Sequence, residues 1–155
     1  IAQKAGGPWP VGQSISDAVA YEQKIGLDKA ETFRQFAADI ETKKQKLNTL
    51  LKGFKAEGKT IAAFGAPAKA TTLMYHFGIG PDLVDFIVDD SPLKQGLYSP
   101  GMHIPVLSSA AIQEKKPDIL VVLAWNFAAP IIAKNQAFKD KGGRFVIPLP
   151  EVEVV

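Results

Sequence analysis

The residues best placed to do chemistry lie on one short stretch, Thr60-Ile61-Ala62-Ala63-Phe64-Gly65-Ala66-Pro67-Ala68-Lys69-Ala70-Thr71-Thr72-Leu73. An apolar run ends at a glycine, a loop of small residues follows, and a helix is expected to begin at once. A strand feeding a helix in this way offers free backbone N–H groups and the positive end of a helix dipole, where α/β proteins hold anions. Lys69, Thr71 and Thr72 add a cation and two hydroxyls to that first turn. The loop lacks the G-x-x-x-x-G-K-[ST] spacing. It also lacks G-x-G-x-x-G, because Ala66, Pro67, Ala68 and Ala70 fill the neighbouring positions. Phosphate or pyrophosphate binding is one reading; a tight βα turn with a solvated Lys69 is the other.

Three further groups should converge with this loop, since ligands of parallel sheets bind beyond the carboxyl ends of the strands. Asp89 and Asp90 close the second apolar strand, and Asp89 lies 24 positions after Gly65. An acid near that spacing bonds ribose hydroxyls in dinucleotide-binding folds, or else caps the turn at Ser91-Pro92. Trp125-Asn126-Phe127 follows the most apolar strand; Asn126 suits an N-cap, and Trp125 suits either stacking on a base or sugar or a place in the core. Pro148–Glu151 follows the last strand. The loop from Lys94 to Pro105 carries Tyr98 and His103, as a pocket rim or an exposed loop, while His76 reads as structural.

Composition narrows the classes. The 155 residues suit one well-buried domain, 46% hydrophobic and 22% charged, with net charge +2. The spread-out lysines and the lack of a basic-aromatic stripe argue against nucleic acid. The chain has no cysteine, which removes disulfides, thiolate metal sites and a Cys nucleophile and fits a cytoplasmic protein. With two histidines, no metal site is expected. No apolar run approaches the roughly 20 residues of a membrane span. The chain starts at Ile1 without methionine, so a piece of a longer protein is expected.

The elements that must position these groups are set by punctuation and periodicity. Residues 1–13 read as an extended lead-in, and residues 14–58 as helical. Ser14 or Ser16 would cap a first helix over about 17–25 with Gly26 as its stop, and Asp28 would cap a long second helix ending near Glu57-Gly58. Phe33, Phe36, Ala37, Ile40, Leu47, Leu50, Leu51 and Phe54 form its apolar stripe. At roughly 28 residues and ~1.5 Å per residue it would exceed a small domain's diameter, which offers part of it to a neighbouring domain or a second copy. Residues 59–155 alternate strand and helix: strands at 60–65, 83–88, 119–123 and 144–147, helices at 68–77, 108–115 and 127–141. This predicts a Rossmann-like, mostly parallel α/β sheet flanked by helices.

The blocks Phe64–Leu73, Val88–Gly96, Pro100–Pro105 and Trp125-Asn126, in this order and spacing, resemble the C-terminal domain of the sugar C-methyltransferases, which act on nucleotide-linked keto-sugars. The resemblance covers nearly the whole chain, and Gln3-Lys4-Ala5-Gly6-Gly7 resembles the tail of the domain that precedes it. It implies a parent with a cysteine-rich zinc lobe, a domain for S-adenosylmethionine, and this third domain. Both cofactors would then belong to the preceding parts, on which this domain packs, and none to this stretch. The resemblance implies that Gly65, Ala66, Pro67, Lys69 and Thr72 form the loop at a nucleotide-sugar. Asp89, Ser91, Lys94 and Gln95 would flank it, with Trp125 and Asn126 closing the far side. Ala70-Thr71 stand where the family more often has Gly-Asn, and Asp90 where it often has a cation. Taken alone, the chain is expected to be catalytically silent. Two other readings compete: a self-contained NAD or coenzyme A module, and an interaction domain docking through the long helix.

Overall fold

A computed structural model describes residues 2–155. The elements are α1 (Gln13–Lys24), α2 (Ala30–Ala56), β1 (Ile61–Phe64), α3 (Ala68–Phe77), β2 (Phe86–Val88), β3 (Val106–Leu107), α4 (Ala111–Lys115), β4 (Ile119–Val122), a 3-10 turn (Trp125–Phe127), α5 (Ala128–Lys134), α6 (Gln136–Asp140), β5 (Arg144–Ile147) and β6 (Glu153–Val154). The chain divides into two compact units, Ile1–Ile40 and Glu41–Val155.

The larger unit is built on one six-stranded sheet ordered β3-β2-β1-β4-β5-β6. β1 pairs in parallel with β2 and β4, β2 with β3 and β4 with β5; β6 returns antiparallel on β5. All residues of β1, β2 and β4 are buried. Both faces are therefore covered, which is why these strands read as unbroken apolar runs. On one face, Ala62, Phe86, Leu120 and Phe145 stand in register and meet Ile112 of α4, Ile131 of α5 and Phe138 of α6.

Leu47, Leu51 and Phe54 of α2 are buried at helical spacing, and each contributes about 2 kcal/mol by leaving water. The Asn48 side-chain amide donates to the Phe77 carbonyl at 2.6 Å, joining α2 to the end of α3. Lys55 pairs with Asp85, whose carboxylate also accepts the Ile61 N–H. Asp118 likewise accepts the Thr60 N–H and pairs with Lys59. Two carboxylates thus fix where β1 starts.

The ends of α2 differ in part from expectation. It begins at Ala30, which leaves Asp28 one residue too early for the N-cap. It stops as expected, because Gly58 has φ +76°, its N–H donates to Lys55 and the Lys59 N–H donates to Phe54. In the smaller unit α1 starts at Gln13 after Gly12, not after a serine cap, and Gly26 ends it at φ +76°.

The sheet order reverses between β1 and β4, since β2 and β3 add on one side and β5 and β6 on the other. This switch point is where open α/β sheets leave a crevice. Gly65 sits there at φ +89°, and a Cβ on it would stand 2.7 Å from the Ala124 Cβ. Both the backbone angle and the close approach require glycine. Gly58 has a similar angle but open space around it. Gly65→Ala is expected to cost about 2–3 kcal/mol and Gly58→Ala about 1 kcal/mol, with urea unfolding midpoints as the measure.

Candidate functional site

At the carboxyl end of β1 the chain turns through Gly65, Ala66 and Pro67 into α3. Asp89 fixes that turn from behind. It is 7% exposed, and its Oδ2 accepts the Ala66 N–H at 2.7 Å and the Lys94 ammonium at 3.1 Å. Its Oδ1 accepts the Ser91 N–H at 2.8 Å, closing an Asx turn. The Gln95 amide donates to the Asp89 main-chain carbonyl at 2.9 Å. One carboxylate therefore joins the loop after β1 to the loop after β2. Gly65 adds a backbone bond in the same direction, its N–H donating to the Val88 carbonyl at 2.7 Å.

α3 starts at Ala68 with Pro67 as N-cap, and no side chain caps it. Proline fixes the extended entry without supplying an acceptor, so the first turn keeps its positive end for another anion. Lys69, half-buried in that turn, places its Nζ 4.2 Å from the Trp125 ring centroid. That contact contributes about 0.5–1 kcal/mol and orients the ammonium. It brings the first turn of α3 against the turn after β4, across the switch point.

Of the residues singled out in the sequence, the structure brings together Gly65, Ala66, Asp89, Ser91, Lys94 and Gln95 as one hydrogen-bonded group, and Lys69 with Trp125 as a second. Pro67 joins them as the N-cap of α3. Thr72 is exposed on α3. Asn126 is exposed inside the 3-10 turn and caps no helix; α5 begins after Phe127. Neither Thr72 nor Asn126 bonds to the group among the described residues.

A third cluster was not foreseen. Asp90 accepts the Lys134 ammonium at 2.7 Å and a hydrogen bond from the Ser109 hydroxyl. It fastens the β2 loop to the β3–α4 loop and to α5. Lys134 lies 44 positions from Asp90, so no local spacing signals this link. Glycine marks another unforeseen contact, because Gly101, at φ +74°, leaves its Cα side to the Tyr75 ring.

Electrostatics follow the bonding. Burial alone would push the Asp89 carboxyl up, but the Ala66 and Ser91 N–H groups and the Lys94 ammonium outweigh it and hold it below the ordinary value. Asp90 is lowered by the bonds from Lys134 and Ser109. Asp118 is lowered first by the Thr60 N–H. All three carboxylates are therefore ionised at neutral pH. Among the described residues no group of three or more His, Asp or Glu is arranged to hold a metal ion.

The family model described as the C-methyltransferase C-terminal domain matches residues 1–150. The chain is 35% identical over 155 residues to the C-methyltransferase NovU of Streptomyces niveus, covering 100% of this chain and 37% of that protein. The chain therefore spans little more than a third of the length of that curated relative.

The lowered acids set the pH dependence. A carboxylate whose pKa falls on folding stabilises the native state above its unfolded pKa of about 3.9, and this is lost as pH drops through the folded value. Urea midpoints are expected to fall steeply below about pH 4. Asp89→Asn is expected to cost about 2 kcal/mol at pH 7 and to flatten, without abolishing, that acid limb.

Proposed function

The chain belongs to the C-methyltransferase C-terminal domain family, and we propose that it serves a longer parent enzyme by holding the methyl acceptor, a nucleotide-linked sugar, at the crevice between β1 and β4. The observation that carries this reading is the convergence of Lys69 and Trp125 across the switch point. Among the described residues Lys69 has no carboxylate partner, so its charge is open to a phosphate. Lys94 gives Asp89 one of its three donors and keeps the others. A pyrophosphate set between these two ammonium groups and the first turn of α3 would meet charge from both flanks. Trp125 offers a ring for the base or the sugar.

In this reading Asp89 works from behind. It shapes Gly65, Ala66 and Pro67 and aims Lys94, with Ser91 and Gln95 holding it in place. Thr72 and Asn126 are exposed hydroxyl and amide groups that a bound ligand would reach from the two sides.

S-adenosylmethionine, when bound, supplies the electrophilic methyl group; we place it, and zinc, in the parent's other domains and assign no residue of this chain to either. Orienting the acceptor is the contribution of this domain, and alignment of reacting groups is worth up to about 7–11 kcal/mol of a barrier. No helix among the described residues is long and apolar enough to cross a membrane, and a cytoplasmic parent is part of the proposal.

A second reading, a self-contained NAD or coenzyme A module, draws on the strand order β3-β2-β1-β4-β5-β6, which is that of dinucleotide-binding folds. The missing second and third glycines of the loop count against it.

A thermal-shift series separates the two. At tenfold excess over Kd a ligand adds about 1.4 kcal/mol, or roughly 3 °C for a domain of this size. Among dTDP, UDP, GDP and CDP sugars, NADH, coenzyme A and S-adenosylmethionine, a shift is expected with one class of sugar nucleotide. Lys69→Ala is expected to weaken that binding about tenfold. A shift with NADH or coenzyme A alone would favour the second reading, and none with any sugar nucleotide, in chain and parent alike, would overturn the first.

A further inference from the structure

A cleft of about 230 Å³ lies at the other end of the sheet from the Gly65 loop. It opens where Lys116, Pro117 and Asp118 lead into β4 and where Gly142 and Gly143 lead into β5. Both strands run parallel to the sheet's β1, so these are amino ends, whereas the crevice at the switch point lies at carboxyl ends. The buried Ile112 of α4, Pro117 and Phe138 of α6 give the cleft an apolar floor.

Its rim carries Gln113, Lys116 and Lys141. A lysine at a helix end ordinarily lies over that helix's last carbonyls. Lys141 is the C-cap of α6, yet its ammonium reaches across to the Gln113 Oε1 of α4 at 2.7 Å. Lysine only donates, so that oxygen faces Lys141, and the Gln113 NH2 and two Lys141 N–H groups are left over. The Lys116 ammonium has no partner among the described residues. Asp118 also borders the cleft, but its Oδ1 accepts Lys59 and its Oδ2 the Thr60 N–H, and Lys59 matches its charge. The unengaged side-chain groups of the rim are thus all donors, and two of the three are cations.

Lys116 stands out for a second reason. Its backbone is left-handed, at φ 47° and ψ 57°, directly before Pro117. Glycine or asparagine is the usual residue in that conformation, and a following proline disfavours it further. Strained residues of this kind cluster at binding sites.

We propose that this cleft binds a small organic anion, a carboxylate or phosphate monoester on a body about one ring in size. The anionic group sits between Lys116 and Lys141, and the ring lies against Ile112 and Phe138. A cavity of roughly 150 Å³ takes a benzene, so the volume here suits a ring with one charged substituent. A rim of donors rejects a cation, and the apolar floor favours an organic anion over a bare inorganic one. The site is independent of family membership and of what the Gly65 loop binds.

NMR shift mapping on the 155-residue chain tests this, with benzoate and phenyl phosphate as probes and benzyl alcohol and inorganic phosphate as controls. At least one probe is expected to move the Lys116, Gly142 and Gly143 amides saturably, and the tighter of the two names the head group. Both controls are expected to bind there at least about tenfold more weakly. Lys116→Gly is expected to weaken the probe at least about tenfold at this cleft and to leave any shifts at Gly65 and Ala66 unchanged. Because glycine relaxes the backbone at that position, its melting midpoint is expected to hold or rise, which separates lost binding from lost fold. No saturable shift at about 10 mM of either probe would overturn the proposal. So would equal binding of benzyl alcohol, which would leave only an apolar patch, or of inorganic phosphate, which would leave an adventitious ion only. Unchanged affinity in Lys116→Gly would overturn it as well.

Discussion

One buried carboxylate holds the candidate site in shape. Asp89 leaves the end of β2 and takes three donors from two loops, the Ala66 N–H, the Ser91 N–H and the Lys94 ammonium. Burial makes an ionised carboxylate costly, and here three charge-assisted or backbone bonds offset that cost. Removing it would leave the half-buried Ala66 N–H without its acceptor and would free Lys94. The turn from β1 into α3 would lose the bond that fixes its direction, and the first turn of α3 would lose its aim at the crevice.

The same arrangement recurs along the sheet. Asp85 and Asp118 fix the start of β1, and Asp89 fixes the loop beyond its end. Asp90 draws in Ser109 and Lys134 from more distant elements. Four acids at strand ends therefore act first as parts of the frame. The groups left for a ligand are cations, an aromatic ring and an uncapped helix N-terminus. This division is the ground for the proposal that an anionic, ring-bearing ligand binds at the switch point.

Much of this was legible in the sequence where local rules decide. The helix at 68–77 and the strand at 144–147 have the bounds that their punctuation predicts. β3 and β6 have two residues each, too few to leave a period. Leu83 and Val84 read as strand because they are apolar, yet both donate to the Gly80 carbonyl in a turn and the strand starts at Phe86. The expected helix at 127–141 is broken at Asn135, whose side chain donates to the Ile131 carbonyl and competes with the helical ladder. In the site, the strand-end acid and the glycine loop were both visible, as was their spacing. Their direct link through the Ala66 N–H was not, because a bond across 23 positions leaves no local pattern.

The organisation of the site therefore stands on the Asp89–Ala66 link, and an NMR pH titration of the 155-residue chain reads it most directly. When the backbone amides of Ala66 and Ser91 are followed from neutral to acid pH, both are expected to move together, with one midpoint below the ordinary carboxylate value. If Ser91 alone responds, or if both respond at or above that ordinary value, Asp89 does not hold the loop and the site is organised in some other way.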